Sequence, residues 1–216
     1  MTASARARGN GTTGASALTA DELGSSAQRD RRKRILDATL ALASKGGYDA
    51  VQMRAVAERA DVALGTLYRY FPSKIHLLVS ALAREFERVQ DRSDRATLPG
   101  GSPYERLTFM ISRITKAMQR DPQLTEAMTR AFMFADASAA AEVDAVGRLM
   151  DTMFARAMSD GDPTDEQLAI ARVISDVWLS NLVAWVTRRA SATDVANRLE
   201  LTIGLLLGHK QASDAF

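Results

Sequence analysis

Residues 52–78, QMRAVAERADVALGTLYRYFPSKIHLL, set the reading of the whole chain. Val56, Ala57 and Ala60 form the apolar stripe of a short amphipathic helix. Residues 60–63, Ala-Asp-Val-Ala, interrupt that pattern, and a second, shorter helix follows from Leu64 to Tyr70. Two helices joined by a turn of three or four residues make a helix-turn-helix, whose second helix lies in the DNA major groove. In that second helix Leu67 and Phe71, four apart, face the core, leaving Leu64, Thr66, Tyr68, Arg69 and Tyr70 on the outside. Gly65 and Thr66 near its N-terminus permit close backbone approach, and a helix N-terminus favours phosphate. Pro72 disfavours helical geometry at Phe71 and so ends the helix. Ser73 then caps a new helix whose first residue, Lys74, is placed to face phosphates.

The run GTLYRYFPSK resembles the recognition segment of the TetR family of bacterial transcription repressors, and the likeness extends from Ile35 to about Leu78. Met53 stands where that family usually has Thr or Ser, and Ala63 where a Ser usually caps the recognition helix. Both changes remove a hydroxyl able to touch phosphate, and Gln52 and Arg54 are the candidates to replace those contacts. The resemblance implies that Tyr68, Tyr70 and Lys74 contact phosphates, with Leu64, Gly65, Thr66 and Arg69 nearest the base edges. The alternative for Tyr68 or Tyr70 is packing between the motif helices, since a tyrosine commonly buries its ring and wets its hydroxyl.

Upstream, residues 1–27 are rich in Ala, Gly, Ser and Thr, and are expected to be a disordered tail. The cluster Arg29, Arg31, Arg32, Lys33 and Arg34 leads into the first helix, either as a solvated helix start or as an arm touching the DNA. Ile35, Leu36, Ala38, Thr39, Leu42 and Ala43 keep helical spacing up to the stop at Gly46-Gly47. Residues 28–73 therefore read as a three-helix DNA-binding domain, and residues 74–216 as an effector-binding and dimerisation domain joined to it by a connector helix over 74–96. Start signals recur at Ser102-Pro103-Tyr104-Glu105, Asp121-Pro122, Thr164 with Gln167, and Thr193-Asp194. No strand pattern of useful length intervenes. The expected fold is all-α, and the resemblance implies about nine helices.

Composition narrows the function classes. The 216 residues are 46% apolar and 25% charged, as in ordinary globular proteins. No run of 18 or more apolar residues predicts a membrane span, the N-terminus has no apolar signal core, and a cytoplasmic location is expected. With no cysteine there is no disulfide frame or thiolate nucleophile, and neither a metal nor a cofactor is expected. Residues 1–78 carry 12 Lys/Arg against 7 Asp/Glu, whereas the remainder carries 16 against 19. Basic charge thus accompanies the DNA-reading segment.

Seven of the nine methionines fall between Met110 and Met158, beside several phenylalanines. Methionine adapts to irregular apolar shapes, so this concentration suggests an effector pocket, with Phe109, Met110, Met118, Met128, Phe132, Met150 and Phe154 as candidate lining, joined by Trp178, Leu182 and Trp185. Plain core packing is the competing explanation for any one of them. From Leu107 to Arg120 an apolar stripe (Leu107, Met110, Ile111, Ile114, Met118) sits beside a basic face of Arg113, Lys116 and Arg120, which is either a solvated face or a landing site for an anionic group. Residues 164–189 and 194–207 are too broadly apolar for isolated helices. The resemblance implies that these two helices pair with their twins in a homodimer, with Val177, Leu199, Ile203, Leu206 and Leu207 at the interface. A two-fold dimer would place its recognition helices about 34 Å apart and predicts a palindromic operator.

Outside the motif, AQRDRRKRILDAT, MQRDPQLTEAMTRAF and VISDVWLSNLVAW resemble the branch of that family that represses cholesterol breakdown in actinobacteria. That likeness implies a steroid-derived coenzyme A thioester as effector; a fatty acyl thioester or a drug-like molecule is the alternative. An enzyme acting on acyl thioesters would depend on His76 and His209, both expected at the solvated surface, or on scattered carboxylates. A non-specific architectural DNA protein fits poorly with a net charge of only +2.

Overall fold

The computed structural model describes residues 20–94 and 98–208. Nine α-helices and one short 3₁₀ turn make up the described residues, with no strand among them. They are α1 (Ala20–Ala50), α2 (Met53–Ala60), α3 (Leu64–Tyr70), α4 (Lys74–Asp94), α5 (Pro103–Arg120), α6 (Pro122–Met133), α7 (Ala140–Met158), α8 (Asp165–Val186) and α9 (Ala192–Leu206).

The chain is already helical at Ala20, where composition predicts irregular chain as far as residue 27. Lacking large apolar residues limits packing but not helicity, and the Ala, Glu, Leu and Gln of this stretch extend a helix anchored further on. Residues 1–19 of the expected tail, and His209, lie outside the described residues. The double glycine breaks α1 as the sequence predicts: Gly46 and Gly47 leave helical geometry, Gly47 at φ +65°, ψ −159°. That conformation is essentially reserved for glycine. A Cβ on Gly47 would also come 3.1 Å from Glu126 Oε2. The same carboxylate accepts a hydrogen bond from the Tyr48 backbone N–H at 3.1 Å, so the break seats the end of α1 on α6.

The capping signals act as written in the sequence. Ser102 and Glu105 close a capping box on α5, Thr164 and Gln167 one on α8, and Asp121 caps α6 by accepting from the Leu124 N–H. The α9 box is set by Ser191 with Asp194, so that helix starts two residues ahead of Asp194. By length and composition α8 could cross a membrane. Its Ile174, Trp178 and Leu182 are buried in the bundle, where α8 packs on α7 and α9.

One core runs through the chain, from Ile35 and Leu36 in α1 to Ile203 in α9. The connector α4 is held near its middle by α1 and α8. Arg84 ties it to α1, with Nη2 2.9 Å from Asp37 Oδ1 and Nη1 donating to the Lys33 carbonyl at 3.2 Å. Two residues on, Phe86 meets the Trp178 ring edge-on, centroids 6.0 Å apart.

Candidate functional site

The candidate DNA-reading surface is built by packing α2 and α3 through buried apolar side chains. Val56, Ala57 and Ala60 of α2 are buried, as are Leu67 and Phe71. Between the helices Asp61 adopts left-handed geometry (φ 52°) and its N–H returns to Ala57 and Glu58. Ala63 occupies the N-cap of α3 with no side-chain cap hydrogen bond; the Thr66 N–H donates to the Ala63 carbonyl at 2.9 Å, which leaves the Leu64 and Gly65 N–H groups to other acceptors. Gln52, Arg54, Gly65, Tyr68 and Arg69 are exposed. Arg69 Nη2 donates to Thr66 Oγ1 at 3.2 Å, which aligns the guanidinium along the helix face.

Three residues of the expected reading face sit differently. Leu64 and Tyr70 are half-buried against the core, Tyr70 tilted onto Phe71. Lys74 does not stand free: its Nζ lies 3.9 Å over the Tyr48 ring, whose other cation neighbour is Arg130, 4.4 Å from the centroid. Partial burial lowers the Lys74 pKa, against the pull of Asp49. Spacing places Lys74 at the start of α4 but says nothing of Tyr48, brought alongside by the Gly46-Gly47 break. His76, expected at the surface, is 8% exposed. Its Nε2 is 3.0 Å from the Ser138 carbonyl, to which it donates, and its Nδ1 is 2.8 Å from Ser73 Oγ. His76 thereby joins the exit of the reading helix to the α6–α7 connection.

In the larger domain, α4, α5, α6, α7 and α8 enclose a cavity of about 350 Å³. Its apolar wall comprises Leu82 and Phe86 of α4, Met118 of α5, Met128 and Phe132 of α6, Val146 and Met150 of α7, and Trp178 and Leu182 of α8. Trp178 organises this wall: Nε1 donates to Thr115 Oγ1 at 2.9 Å, and Phe86 and Phe154 each present an edge-on ring at 6.0 Å. Asp144, Arg148, Arg172 and Asp176 are exposed cavity residues, whereas Thr129 and Ser175 are buried ones.

Six of the expected lining residues therefore meet here: Met118, Met128, Phe132, Met150, Trp178 and Leu182. Five do not. Phe154 is fully buried behind Trp178, Met110 lies against a separate groove beside Met153, and Trp185 is half-buried outside the cavity. Phe109 is 38% exposed and shares an outer groove with Arg113, Lys116 and Arg120. The basic stripe of α5 thus faces away from the cavity, because α5 turns Leu107, Ile111 and Ile114 inward and the cations fall on the opposite side. The arginines that do reach the cavity, Arg148 and Arg172, come from α7 and α8; their i, i+4 relation to Asp144 and Asp176 was the available signal.

On α9 the expected interface stripe splits. Val195, Leu199 and Ile203 are buried within the chain, while Leu201, Leu205 and Leu206 are 51%, 74% and 36% exposed. Val173 of α8, 46% exposed, belongs with the outward set, and Val177 and Leu207 are half-buried.

Comparison with known proteins finds two family models along the chain. Residues 35–81 fit the model of the bacterial regulatory proteins of the tetR family, and residues 100–206 fit that of the tetracyclin repressor-like C-terminal domain. The chain is 74% identical over 208 residues to the HTH-type transcriptional repressor KstR of Rhodococcus jostii, spanning 96% of this chain and 97% of that one. The chain belongs to the TetR family. A KstR repressor from Mycolicibacterium smegmatis is 73% identical, over 92% of this chain and 98% of its own. Among solved structures, a TetR transcriptional regulator from Rhodococcus sp. RHA1 superposes with a TM-score of 0.75 at 31% identity, covering 86% of this chain and 99% of that one. The fold is also that of the TetR-family repressor FadR of Thermus thermophilus in complex with lauroyl-CoA (TM-score 0.64, 22% identity, 85% and 97% covered).

Proposed function

We propose that this TetR-family regulator is a cytoplasmic, non-enzymatic repressor of steroid-catabolism genes, which binds a palindromic operator as a homodimer and is released by a steroid-derived coenzyme A thioester. The observation that carries the reading is the apolar cavity built around Trp178 and walled by α4, the helix that continues into the DNA-binding domain. High identity to KstR repressors over nearly the whole chain supports the gene class. Lauroyl-CoA bound to a protein of the same fold supports a thioester effector.

A cavity of about 350 Å³ suits a rigid apolar body, at the small end of ligand sites, but not a coenzyme tail as well. The tail must lie outside, where Arg148 and Arg172 offer fixed positive charge for phosphates. The second copy docks on the outward apolar residues Val173, Leu201, Leu205 and Leu206, since Leu199 and Ile203 are used internally. A monomer seldom leaves Leu205 so bare beside other apolar side chains.

The ligand can act only through unequal affinity for two arrangements of the dimer. Filling the cavity presses on Leu82 and Phe86 of α4 and on α6. These helices carry the two ties to the DNA-reading unit, the His76 bridge and the Tyr48 stack.

The test is operator binding at one fixed salt concentration, titrated with a steroid-acid coenzyme A thioester and separately with the free acid. Release by the thioester at concentrations where the acid has no effect is the expected result. Equal release by both would remove the tail-reading role of Arg148 and Arg172; no release by either would overturn the effector class.

A further inference from the structure

The basic cluster over residues 29–34 has no part in the core: residues 27–34 of α1 are exposed, apart from half-buried Arg31. It lies instead against the reading helix. Arg34 Nη1 is 3.8 Å from Asp61 Oδ2, in the turn that leads into α3. The Arg32 guanidinium is 5.7 Å from the ring centroid of Phe71, the residue that ends α3. This part of α1 therefore touches both ends of α3. Stacking engages the plane of a guanidinium and leaves its N–H donors for other acceptors.

On a solvated helix face, carboxylates three or four positions away stabilise the cations. Lys33 has such a partner, 3.6 Å away on Asp37. Arg34, four residues after Asp30, reaches Asp61 instead. Arg29, Arg31 and Arg32 have no ion-pair partner among the described residues. Arg29 has Arg32 and Lys33 at i+3 and i+4, and Arg31 has Arg34 at i+3, so like charges oppose one another along the helix.

We infer that Arg29 and Arg32 form a phosphate clamp beside the helix-turn-helix, so that α1 takes part in DNA binding directly. The clamp rests on operator binding by the helix-turn-helix and adds a surface to it. Asp61 and Phe71, which hold this part of α1, both belong to that motif, so a duplex seated on α3 brings its backbone close to the free cations. Phosphates also relieve the repulsion between the neighbouring arginines, which no carboxylate of the described residues does. Phosphates carry no sequence information, so the clamp adds affinity and fixes register without changing which bases are read.

The experiment follows affinity against salt concentration for two duplexes of equal length. One is a palindrome that the wild-type protein selects from a randomised pool, and the other is its scrambled form. Each phosphate contact contributes about 0.9 to the slope of log affinity against log salt. Arg29→Ala combined with Arg32→Ala is expected to lower the slope by about two units on both duplexes. Raising salt from about 50 to about 200 mM then costs this variant roughly tenfold less affinity than it costs wild type. Arg29→Lys with Arg32→Lys keeps the charge and should keep the slope. Arg113→Ala with Lys116→Ala, which removes the same charge from the outer face of α5, should leave it unchanged. Alanine is the strongest helix former; should the double variant still fail to fold, Arg29→Gln alone, at an exposed position, should lower the slope by about one unit.

An unchanged slope in the α1 variants would overturn the clamp while leaving operator binding by α3 standing. An equal fall in the α5 variant would trace the effect to net charge and also overturn it. A fall confined to the selected palindrome would make these residues base readers, contrary to the clamp. Failure of the wild-type protein to select or bind any duplex would overturn the DNA reading, and the clamp with it.

Discussion

Replacing Trp178 with alanine is expected to cost about 3–5 kcal/mol of stability, the range for removing a buried aromatic side chain, and to lower the melting temperature by roughly 6–20 °C for a chain of this size. The side chain is 2% exposed, donates to Thr115 and holds the rings of Phe86 and Phe154. Its loss removes contacts from α4, α5 and α7 together, so the effect should not stay local. Trp178→Phe keeps most of the ring contacts and leaves Thr115 Oγ1 without its donor, and should cost about 1–2 kcal/mol. Thermal denaturation of the three proteins, followed by circular dichroism, checks both figures. A melting temperature unchanged in Trp178→Ala would mean that the cavity wall does not depend on this residue.

Arg69→Ala is expected to weaken operator binding by about 1–3 kcal/mol, or about five- to a hundred-and-fiftyfold, and to relax base preference at one position in each half-site. The guanidinium is exposed on α3 and aligned by Thr66, with no ion-pair partner among the described residues, so it is available for a base edge. Arg54→Ala, on the preceding helix, should instead lower affinity for all sequences alike and reduce the salt slope by about one unit, as a phosphate contact does. Operator variants assayed at several salt concentrations separate the two behaviours. A uniform loss in Arg69→Ala would reassign that residue to the phosphates.

How far the sequence carried the structure depends on what each element asks of its residues. The reading helix was legible because order and spacing along GTLYRYFPSK define it: Pro72 stops it, and Leu67 and Phe71 have one face to bury. Helices α5 and α8 were legible through their caps, where a Ser or Thr and a Glu or Gln three positions later leave little choice. Apolar faces were harder. On α9 leucines and isoleucine lie on both sides, and periodicity cannot say that Leu199 and Ile203 serve the core while Leu201 and Leu205 face out. The basic stripe of α5 has a clear helical period, but a period shows which residues share a face and not what lies opposite. Long-range contacts were out of reach altogether. His76 between Ser73 and Ser138 and Lys74 over Tyr48 join residues from separate elements, and neither leaves a local signature.

The proposed release depends on one linkage, between the cavity and the operator-binding surface. It is tested most directly by measuring the affinity of the steroid-acid coenzyme A thioester for the protein alone and for the protein saturated with operator, at the same salt concentration. Coupling free energy is reciprocal, so the thioester must bind the operator complex more weakly by the same factor by which it weakens operator binding. A matching factor of roughly five or more, in the range usual for coupled sites, is the predicted result. Equal affinity for the free and DNA-bound protein would contradict the linkage.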